Sequence, residues 1–265
     1  MKTIYHFSGA GNDFVVIDGR EGDVSAFREV PCIEALCREY KTDGLMILGA
    51  GDTEVDFTME FYNPDGSGGM MCGNGGRCIV AFADYLGIRP ASDDVFLFRA
   101  PDGLHTGEIL GHPGENSWTV RLKMIDVQGI TAILGGFFLN TGTRHFVKFV
   151  DDVEQIDIDT EGKALRWNEA FAPVGTNVNF VHVAPDGLHV RTFEKGVEGE
   201  TLACGTGLTA SALAAHHAGV PAAAPGAYRL RARQDWLSVD FVPGPDDTFT
   251  DVYLTGPARL VAQFG

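Results

Sequence analysis

Two cysteines that stand beside glycines, Cys72 and Cys204, are the residues of this sequence best suited to chemistry. The first lies in MCGNGGR at 71–77, and the second lies in ACGTG at 203–207. Each segment precedes a helical pattern, so each half of the 265-residue chain is expected to place one thiol at a helix N-terminus. The matching contexts suggest that the two thiols face one another across a single site.

A helix N-terminus suits both a thiolate and a bound carboxylate, because its N–H groups and dipole favour negative charge. Glycines let the backbone approach a ligand closely. Two such helix ends could hold one carboxylate and place one sulfur on each side of the adjacent carbon. One thiolate could then remove a proton from that α-carbon, and the opposite thiol could return one. The N–H donors would stabilise the developing charge without pyridoxal phosphate or a metal.

Two other interpretations of these cysteines stay open. A single cysteine beside glycine is more often a buried or loop residue, although a matching context half a chain away weakens this interpretation. A redox disulfide would need Cα atoms within about 7 Å of one another. A substrate carbon between the two sulfurs would hold them further apart.

The surrounding patterns predict two similar α+β halves rather than alternating βαβ units. Gly9-Ala10-Gly11 resembles a nucleotide fingerprint, but Phe14 stands where the third glycine should be and no strand–helix unit follows. Strand-like runs outnumber helical ones, and 55–62 alternates apolar with polar residues. The pattern predicts helices at 31–40, at 75–86 and directly after Cys204. The later strand-like runs include 131–138, 251–254 and 258–263.

The halves are predicted as two domains with a hinge at Asp126–Gly129. The first spans 1–125 and is completed by the C-terminal strand 258–265, and the second spans 126–257.

Composition narrows the class of partner. A net charge of −16 argues against nucleic acid and anionic membranes, which require basic patches. The N-terminal residues lack a signal peptide's apolar run, and no window approaches the roughly 20 apolar residues of a membrane span. Five cysteines without a CxxC pair indicate reduced thiols in a cytoplasm and no structural zinc.

Three segments resemble the diaminopimelate epimerase family: GAGNDF at 9–14, the stretch 63–77, and the stretch 194–207. The resemblance extends over nearly the whole chain. It implies two pseudo-symmetric α+β domains, each an antiparallel barrel-like sheet around a central helix, with the active site in the cleft between them. It also implies cofactor-independent interconversion of LL- and meso-2,6-diaminopimelate, for lysine and peptidoglycan precursor synthesis. The partner would be this small amino acid; a homodimer is left open.

The resemblance also implies roles for individual residues. Cys72 and Cys204 would be base and acid, exchanging roles with the stereochemistry of the substrate. Metal ligands are not expected. The residues matched to substrate-binding positions are Asn12, Asn63, Gly73, Asn74, Asn177, Glu194, Lys195, Gly205 and Thr206.

Three departures from the family pattern concern the far end of the substrate. Lys195 stands where the family usually has arginine, and lysine lacks the planar fork that binds a carboxylate through two hydrogen bonds. Arg144 replaces a proline ahead of His145, and could supply a guanidinium or be simply exposed. The glycine-rich segment before Asp43 is shortened, and Gly44 lacks a side chain that often contacts substrate.

These departures keep two other functions open. One is a related two-cysteine racemase for another amino acid; proline racemases usually carry histidine where Asn74 stands, and phenazine-type isomerases of this fold lack the cysteine pair. The other is a non-catalytic protein that binds a small carboxylate.

Overall fold

The computed structural model describes residues 2–69, 71–91 and 94–265; Met70, inside the 63–77 motif, lies outside them. The chain forms two compact units. Unit 1 is Met1–Leu122 with Gly256–Gly265, and unit 2 is Lys123–Thr255.

The first half of the chain holds seven strands and two α-helices within the described residues, with a 3-10 turn at Ser25–Arg28. In chain order they are β1 (Ile4–Gly9), β2 (Asn12–Asp18), α1 (Val30–Tyr40), β3 (Gly44–Ala50), β4 (Phe57–Tyr62), α2 (Gly73–Tyr85), β5 (Val95–Ala100), β6 (Gly103–Gly114) and β7 (Ser117–Lys123).

The second half adds shorter elements and one long final strand. They are β8 (Val127–Gln128), β9 (Thr131–Ile133), β10 (Gly136–Asn140), β11 (Arg144–Phe149), α3 (Lys163–Arg166), β12 (Asn177–Ala184), β13 (Gly187–Glu194), β14 (Gly199–Thr201), α4 (Gly205–His217), β15 (Ala227–Arg231), β16 (Trp236–Pro243) and β17 (Thr248–Phe264). Helical turns at Val153–Gln155, Ile158–Gly162 and Glu169–Phe171 surround α3.

Within the described residues of unit 1, strands β1 to β7 and the second part of β17 close into a barrel. Most neighbours are antiparallel, but β2–β3 and β4–β5 are parallel. A parallel pair needs a long crossover, and α1 and α2 provide these two.

Unit 2 repeats this order of pairings. The strands β11–β12 and β13–β15 are parallel pairs. The pairs β10–β11, β12–β13, β15–β16 and β16–β17 are antiparallel. Taken in order along the sheet, these six pairs repeat the orientations of the six pairs from β1 to β7. The α3 region is the crossover between β11 and β12, and α4 is the crossover between β13 and β15. The predicted fold class, two pseudo-symmetric α+β halves with barrel-like sheets, is confirmed, with parallel pairs at the crossovers.

The central helices differ from α1 because they are buried nearly all round. Residues Gly73–Ala83 of α2 are buried, and so is most of α4 from Gly205 to Ala215. Alanine and glycine dominate α4, so strands can pack close to it on several sides. By contrast α1 buries one face, Ile33 and Cys37, against β2 and β3.

Two predictions of strands were wrong in detail. The run 131–138 is two strands, β9 and β10, because Leu134 and Gly135 both adopt positive φ (52° and 72°) in a hairpin turn. The runs 251–254 and 258–263 are one strand, β17, which continues through Pro257. The predicted hinge at Asp126–Gly129 contains β8, which pairs with the start of β17.

The packing of α4 gives a stability prediction. Ala212→Leu should lower the free energy of unfolding by about 1–3 kcal/mol, because Ala212 is fully buried and extra methylenes must displace strands. Urea unfolding measures this. Ala223→Leu, at an exposed loop position, is the control, and equal stability of the two variants would contradict the description of α4.

Candidate functional site

Cys72 is the N-cap of the central helix of unit 1. Its Sγ accepts a hydrogen bond from the backbone N–H of Gly75 at 3.2 Å, and its carbonyl accepts from Gly76 at 2.7 Å. A Cβ on Gly75 would lie 3.2 Å from that sulfur and 3.3 Å from Met46 Sδ, so glycine leaves room for this approach. The helix begins directly after the cysteine, at the position that favours negative charge on sulfur.

Asn12 and Asn74 meet beside this helix end. Asn74 Nδ2 donates to Asn12 Oδ1 at 2.5 Å, and Asn12 Nδ2 donates to Asp43 Oδ2 at 3.2 Å. Gly9 makes the approach possible, because a Cβ there would lie 2.8 Å from the Asn74 carbonyl oxygen. The Gly9-Ala10-Gly11 motif lies in the hairpin turn between β1 and β2, since Gly9 pairs with Asn12.

Asn63 lies at the start of a tight loop after β4. Its Nδ2 donates to Ser67 Oγ at 2.9 Å, and its backbone N–H donates to the Ser67 carbonyl at 2.9 Å. The asparagine thus holds the predicted turn, and its amide is partly exposed.

Cys204 is the N-cap of the central helix of unit 2, as predicted for the second motif. Its carbonyl accepts from Leu208 N–H at 2.8 Å, and its Sγ lies 3.5 Å from Thr206 Oγ1. The residue is buried, with 8% of its surface exposed. A Cβ on Gly207 would come within 2.3 Å of Asn179 Oδ1, so glycine is required for the helix to pack on β12.

A polar network leads from β12 to Thr206. His145 Nε2 lies 3.0 Å from Thr206 Oγ1 and 2.9 Å from Thr143 Oγ1, while its Nδ1 lies 2.9 Å from Asn179 Nδ2. Thr192 donates to Asn179 Oδ1 at 2.9 Å, so the Asn179 amide donates to Nδ1. The Nε2–H tautomer of His145 therefore donates toward the threonine hydroxyls.

Asn177 ties together the backbones of two positively charged residues. Its Nδ2 donates to the Arg144 carbonyl at 2.9 Å, and its Oδ1 accepts from the Lys195 N–H at 2.8 Å. Glu194 precedes Lys195, and Glu194 Oε2 accepts from Thr201 Oγ1 at 2.9 Å. The structure thus groups Asn177, Glu194 and Lys195 at the end of β13.

The three departures fall in different places. The guanidinium of Arg144 lies 5.1 Å from the Phe138 ring, and successive strand residues face opposite sides, so it lies on the sheet face away from His145 and α4. The Lys195 side chain is exposed. A Cβ on Gly44 would lie 2.8 Å from the Tyr62 carbonyl oxygen, so that strand position has no room for a side chain.

Sequence reasoning missed several polar residues of these networks. Asp43, Arg77, Thr143 and Asn179 all bond to a predicted site residue or to His145. Asn179 and Thr143 had no motif signal, whereas Arg77 closes the first cysteine motif and Asp43 directly follows the shortened segment.

Two other cysteines, Cys37 and Cys78, are buried packing residues. Burial raises the pKa of the Cys78 thiol far above its ordinary value, and burial also raises the pKa of the Cys37 thiol. Both thiols therefore stay protonated near neutral pH.

Among residues 2–69, 71–91 and 94–265, no group of three or more His, Cys, Asp or Glu side chains could hold a metal ion. Within the same ranges, no helix is long and apolar enough to cross a membrane.

The burial of His145 predicts its behaviour with pH. Desolvation lowers its pKa from 6.5 to about 3, so the folded protein binds fewer protons than the unfolded chain between these values. The contribution of His145 to the free energy of unfolding is therefore fully present above pH 6.5. Below pH 6.5 this contribution falls by about 1.4 kcal/mol per pH unit.

Nitrogen-15 NMR should show a neutral Nε2–H imidazole at pH 5–8, and the free energy of unfolding should fall more from pH 7 to pH 5 in the wild type than in His145→Asn. An imidazolium signal from His145 at pH 6 would contradict the network described for it.

Known proteins resemble this chain in sequence or in fold. The chain matches the family model described as diaminopimelate epimerase over residues 4–108 and 137–230. It is 39% identical over 263 residues to the diaminopimelate epimerase of Chlorobaculum tepidum, covering 96% of this chain and 97% of the relative. It is 38% identical over 264 residues to that of Flavobacterium psychrophilum, covering 98% of each.

Solved structures with low sequence identity share the fold alone. A Bacillus anthracis phenazine biosynthesis protein is 11% identical with a TM-score of 0.72, covering 99% of this chain and 98% of that one. A probable proline racemase from Agrobacterium radiobacter, solved with bound carbonate, is 15% identical with a TM-score of 0.69, covering 100% and 92%. With a family model matching most of its length and relatives above 30% identity, this chain belongs to the diaminopimelate epimerase family.

Proposed function

We propose that this protein is an isomerase that interconverts LL- and meso-2,6-diaminopimelate by moving a proton at one α-carbon. The observation that carries the proposal is the duplicated helix cap: in each unit of a chain from this family, a cysteine caps the buried central helix. A two-base inversion needs two such groups.

The reaction begins with one cysteine as thiolate and the other as thiol. The thiolate takes the α-hydrogen as a proton, and the electron pair of the C–H bond passes into the adjacent carboxylate system. The opposite thiol gives its proton to the other face of the carbon, so the centre is inverted. The two sulfurs have exchanged protonation states, and the reverse direction uses them with the roles reversed.

The helix ends supply the electrostatic part of this mechanism. In the proposed mechanism the first-turn N–H groups of Gly73, Asn74, Gly205 and Thr206 hold the reacting carboxylate, where charge accumulates in the transition state. We assign substrate contacts as well to Asn12, Asn63, Asn177, Glu194 and Lys195. No pyridoxal phosphate or metal takes part in the proposed steps.

The proposed setting follows from this chemistry. The substrate is an amino acid of lysine and peptidoglycan precursor synthesis, and thiols that must stay reduced suit the cytoplasm. The net charge of −16 does not oppose a carboxylate ligand, because the proposed contacts are local N–H donors.

The cysteine roles predict the effect of removing each sulfur. Cys72→Ala and Cys204→Ala should each lower kcat for epimerisation by about 10³-fold, because each removes a proton donor or acceptor. The assay follows solvent deuterium entering the α-position of LL- or meso-diaminopimelate.

Cys32→Ala is the matched control, since Cys32 lies in α1, outside the proposed site, and this variant should keep its kcat. Near-normal turnover in either of the first two variants would refute the roles assigned here. Absence of exchange with the reduced wild-type protein would refute the proposed function itself.

The charged side chain of Lys195 is proposed to bind the distal carboxylate of the substrate. Lys195→Ala should lower kcat/KM for diaminopimelate about tenfold, mainly through KM, because a charged hydrogen-bond donor is lost. Lys195→Arg should raise kcat/KM, since a guanidinium can bind the carboxylate through two hydrogen bonds.

Lys163→Ala, which removes an exposed lysine of α3, should leave kcat/KM unchanged. If Lys195→Ala also leaves it unchanged, the distal carboxylate is held by another group.

A further inference from the structure

The segment that leads into Cys72 is held by a side chain from another part of unit 1. The backbone N–H of Met71, the residue directly before the cysteine, donates to Asp102 Oδ1 at 3.1 Å. Asp102 lies in the turn between β5 and β6, 31 positions further along the chain than Met71. The mechanism proposed above gives this aspartate no role.

Asp102 is in turn held by His105. The imidazole Nε2 lies 3.2 Å from the same Oδ1, and the side chains of Asp102 and His105 are 21% and 16% exposed. An ionised carboxylate can only accept hydrogen bonds, so Nε2 carries the proton in this contact. The ring of His105 packs on that of Phe98, which is fully buried, with the ring centroids 5.5 Å apart. The position of the carboxylate is therefore set from the core of unit 1.

The same hexapeptide, Ala-Pro-Asp-Gly-Leu-His, occurs twice in the chain, at 100–105 and at 184–189. Each copy forms a hairpin turn, the first between β5 and β6 and the second between β12 and β13. Proline at the second position and glycine at the fourth suit a tight turn, and Gly103 and Gly187 adopt positive φ of 134° and 141°. The turn is therefore a product of its local sequence.

The two copies differ in what their aspartate holds. In both, histidine Nε2 faces aspartate Oδ1, at 3.2 Å for Asp102 and at 2.8 Å for Asp186. Within the residues that the structure describes, the side chain of Asp102 has the additional bond to Met71, whereas that of Asp186 is bonded to His189. The second copy therefore offers a matched control in the same molecule, with the same turn and the same pair of side chains.

The bond to Asp102 completes the support of Cys72 from both sides. After the cysteine, Gly75 donates to its Sγ at 3.2 Å and Gly76 donates to its carbonyl at 2.7 Å. Before the cysteine, Met71 is held by Asp102 and also packs on the first turn of α2, since a Cβ on Gly76 would lie 2.8 Å from Met71 Sδ. Proton transfer depends steeply on geometry, so the segment that enters the helix cap must be fixed as well as the helix behind it.

We propose that Asp102 is a positioning residue of the epimerase site: it holds the N–H of Met71 and thereby fixes the Cys72 sulfur at the N-terminus of α2. His105 supports this role by holding the carboxylate in place. The inference rests on the proposed function for its kinetic part alone, because the anchoring of Met71 can be measured without substrate.

The kinetic test compares the two copies of the turn. Asp102→Ala should lower kcat about tenfold with a smaller change in KM, because the sulfur is misplaced while the groups that bind substrate remain. Asp102→Asn should stay within about threefold of the wild-type kcat, since its amide oxygen can still accept from Met71. Asp186→Ala, the matched control, should keep the wild-type kcat, because Asp186 lies in the β12–β13 turn, outside the proposed site.

The substrate-free measurement is hydrogen exchange at the backbone N–H of Met71, followed by nitrogen-15 NMR. Slow exchange in the wild type, accelerated by Asp102→Ala but not by Asp186→Ala, is the expected result. Asp102→Asn should keep most of the protection, because an acceptor oxygen remains. Equal acceleration at amides throughout unit 1 would show a general loss of stability instead, and would overturn the proposal.

Should Asp102→Ala fail to fold, His105→Leu and His189→Leu provide the same comparison. His105→Leu should lower kcat about threefold, because the carboxylate of Asp102 loses its support, and His189→Leu should leave kcat unchanged. Equal kcat in these two variants would overturn the proposal.

Two further results would overturn the proposal while the function stands: kcat of folded Asp102→Ala within about twofold of wild type, or exchange at Met71 unaffected by this substitution. If exchange follows the expected pattern and the wild type shows no epimerase activity, the proposed function fails and the anchoring of Met71 stands.

Discussion

The constraint on which this structure depends is the burial of a helix N-terminus inside each unit. Strands pack around α2 and α4, so the N–H groups of their first turns cannot all be left to bulk water. Part of this requirement is met by Cys72, whose sulfur accepts from Gly75. The remaining donors give each helix end a preference for negative charge, and a cysteine at the cap places its sulfur in that potential.

The two units repeat their topology but not their polar chemistry. In unit 1 the residue two after the cysteine is Asn74, held by a buried guanidinium and a second amide. In unit 2 the corresponding residue is Thr206, which meets another hydroxyl and a neutral imidazole. In the proposed reaction one sulfur takes a proton and the other gives one, and their unequal surroundings need not give the two thiols equal proton affinity. The pseudo-symmetry of the fold therefore does not imply symmetry of the resting protonation state.

Local signals in the sequence predicted the parts of the site that are built locally. Glycines after each cysteine indicated a helix start, and both helices begin there. Contacts between distant segments had no such signal: Asn179 reaches His145 across 34 positions, and Arg77 reaches Pro257 across 180. The hairpin turn at Leu134 had no sequence signal, because leucine rarely adopts positive φ. The sequence pattern predicts two strands in place of β17, because Pro257 lacks a backbone donor for the strand although its carbonyl remains available.

The departures from the family pattern are not equivalent once their surroundings are known. Gly44 faces the Tyr62 carbonyl so closely that a side chain there would displace β3 from β4. Arg144 lies with Phe138, on the sheet face opposite His145, so its charge is directed away from the cysteine-capped helix. Lys195 alone follows directly on Glu194 and shares the Asn177 amide through its backbone. Any change in recognition of the far end of the substrate is therefore best sought at this lysine. Its long flexible side chain can place the charge in several positions, whereas the planar guanidinium of an arginine would favour a single geometry.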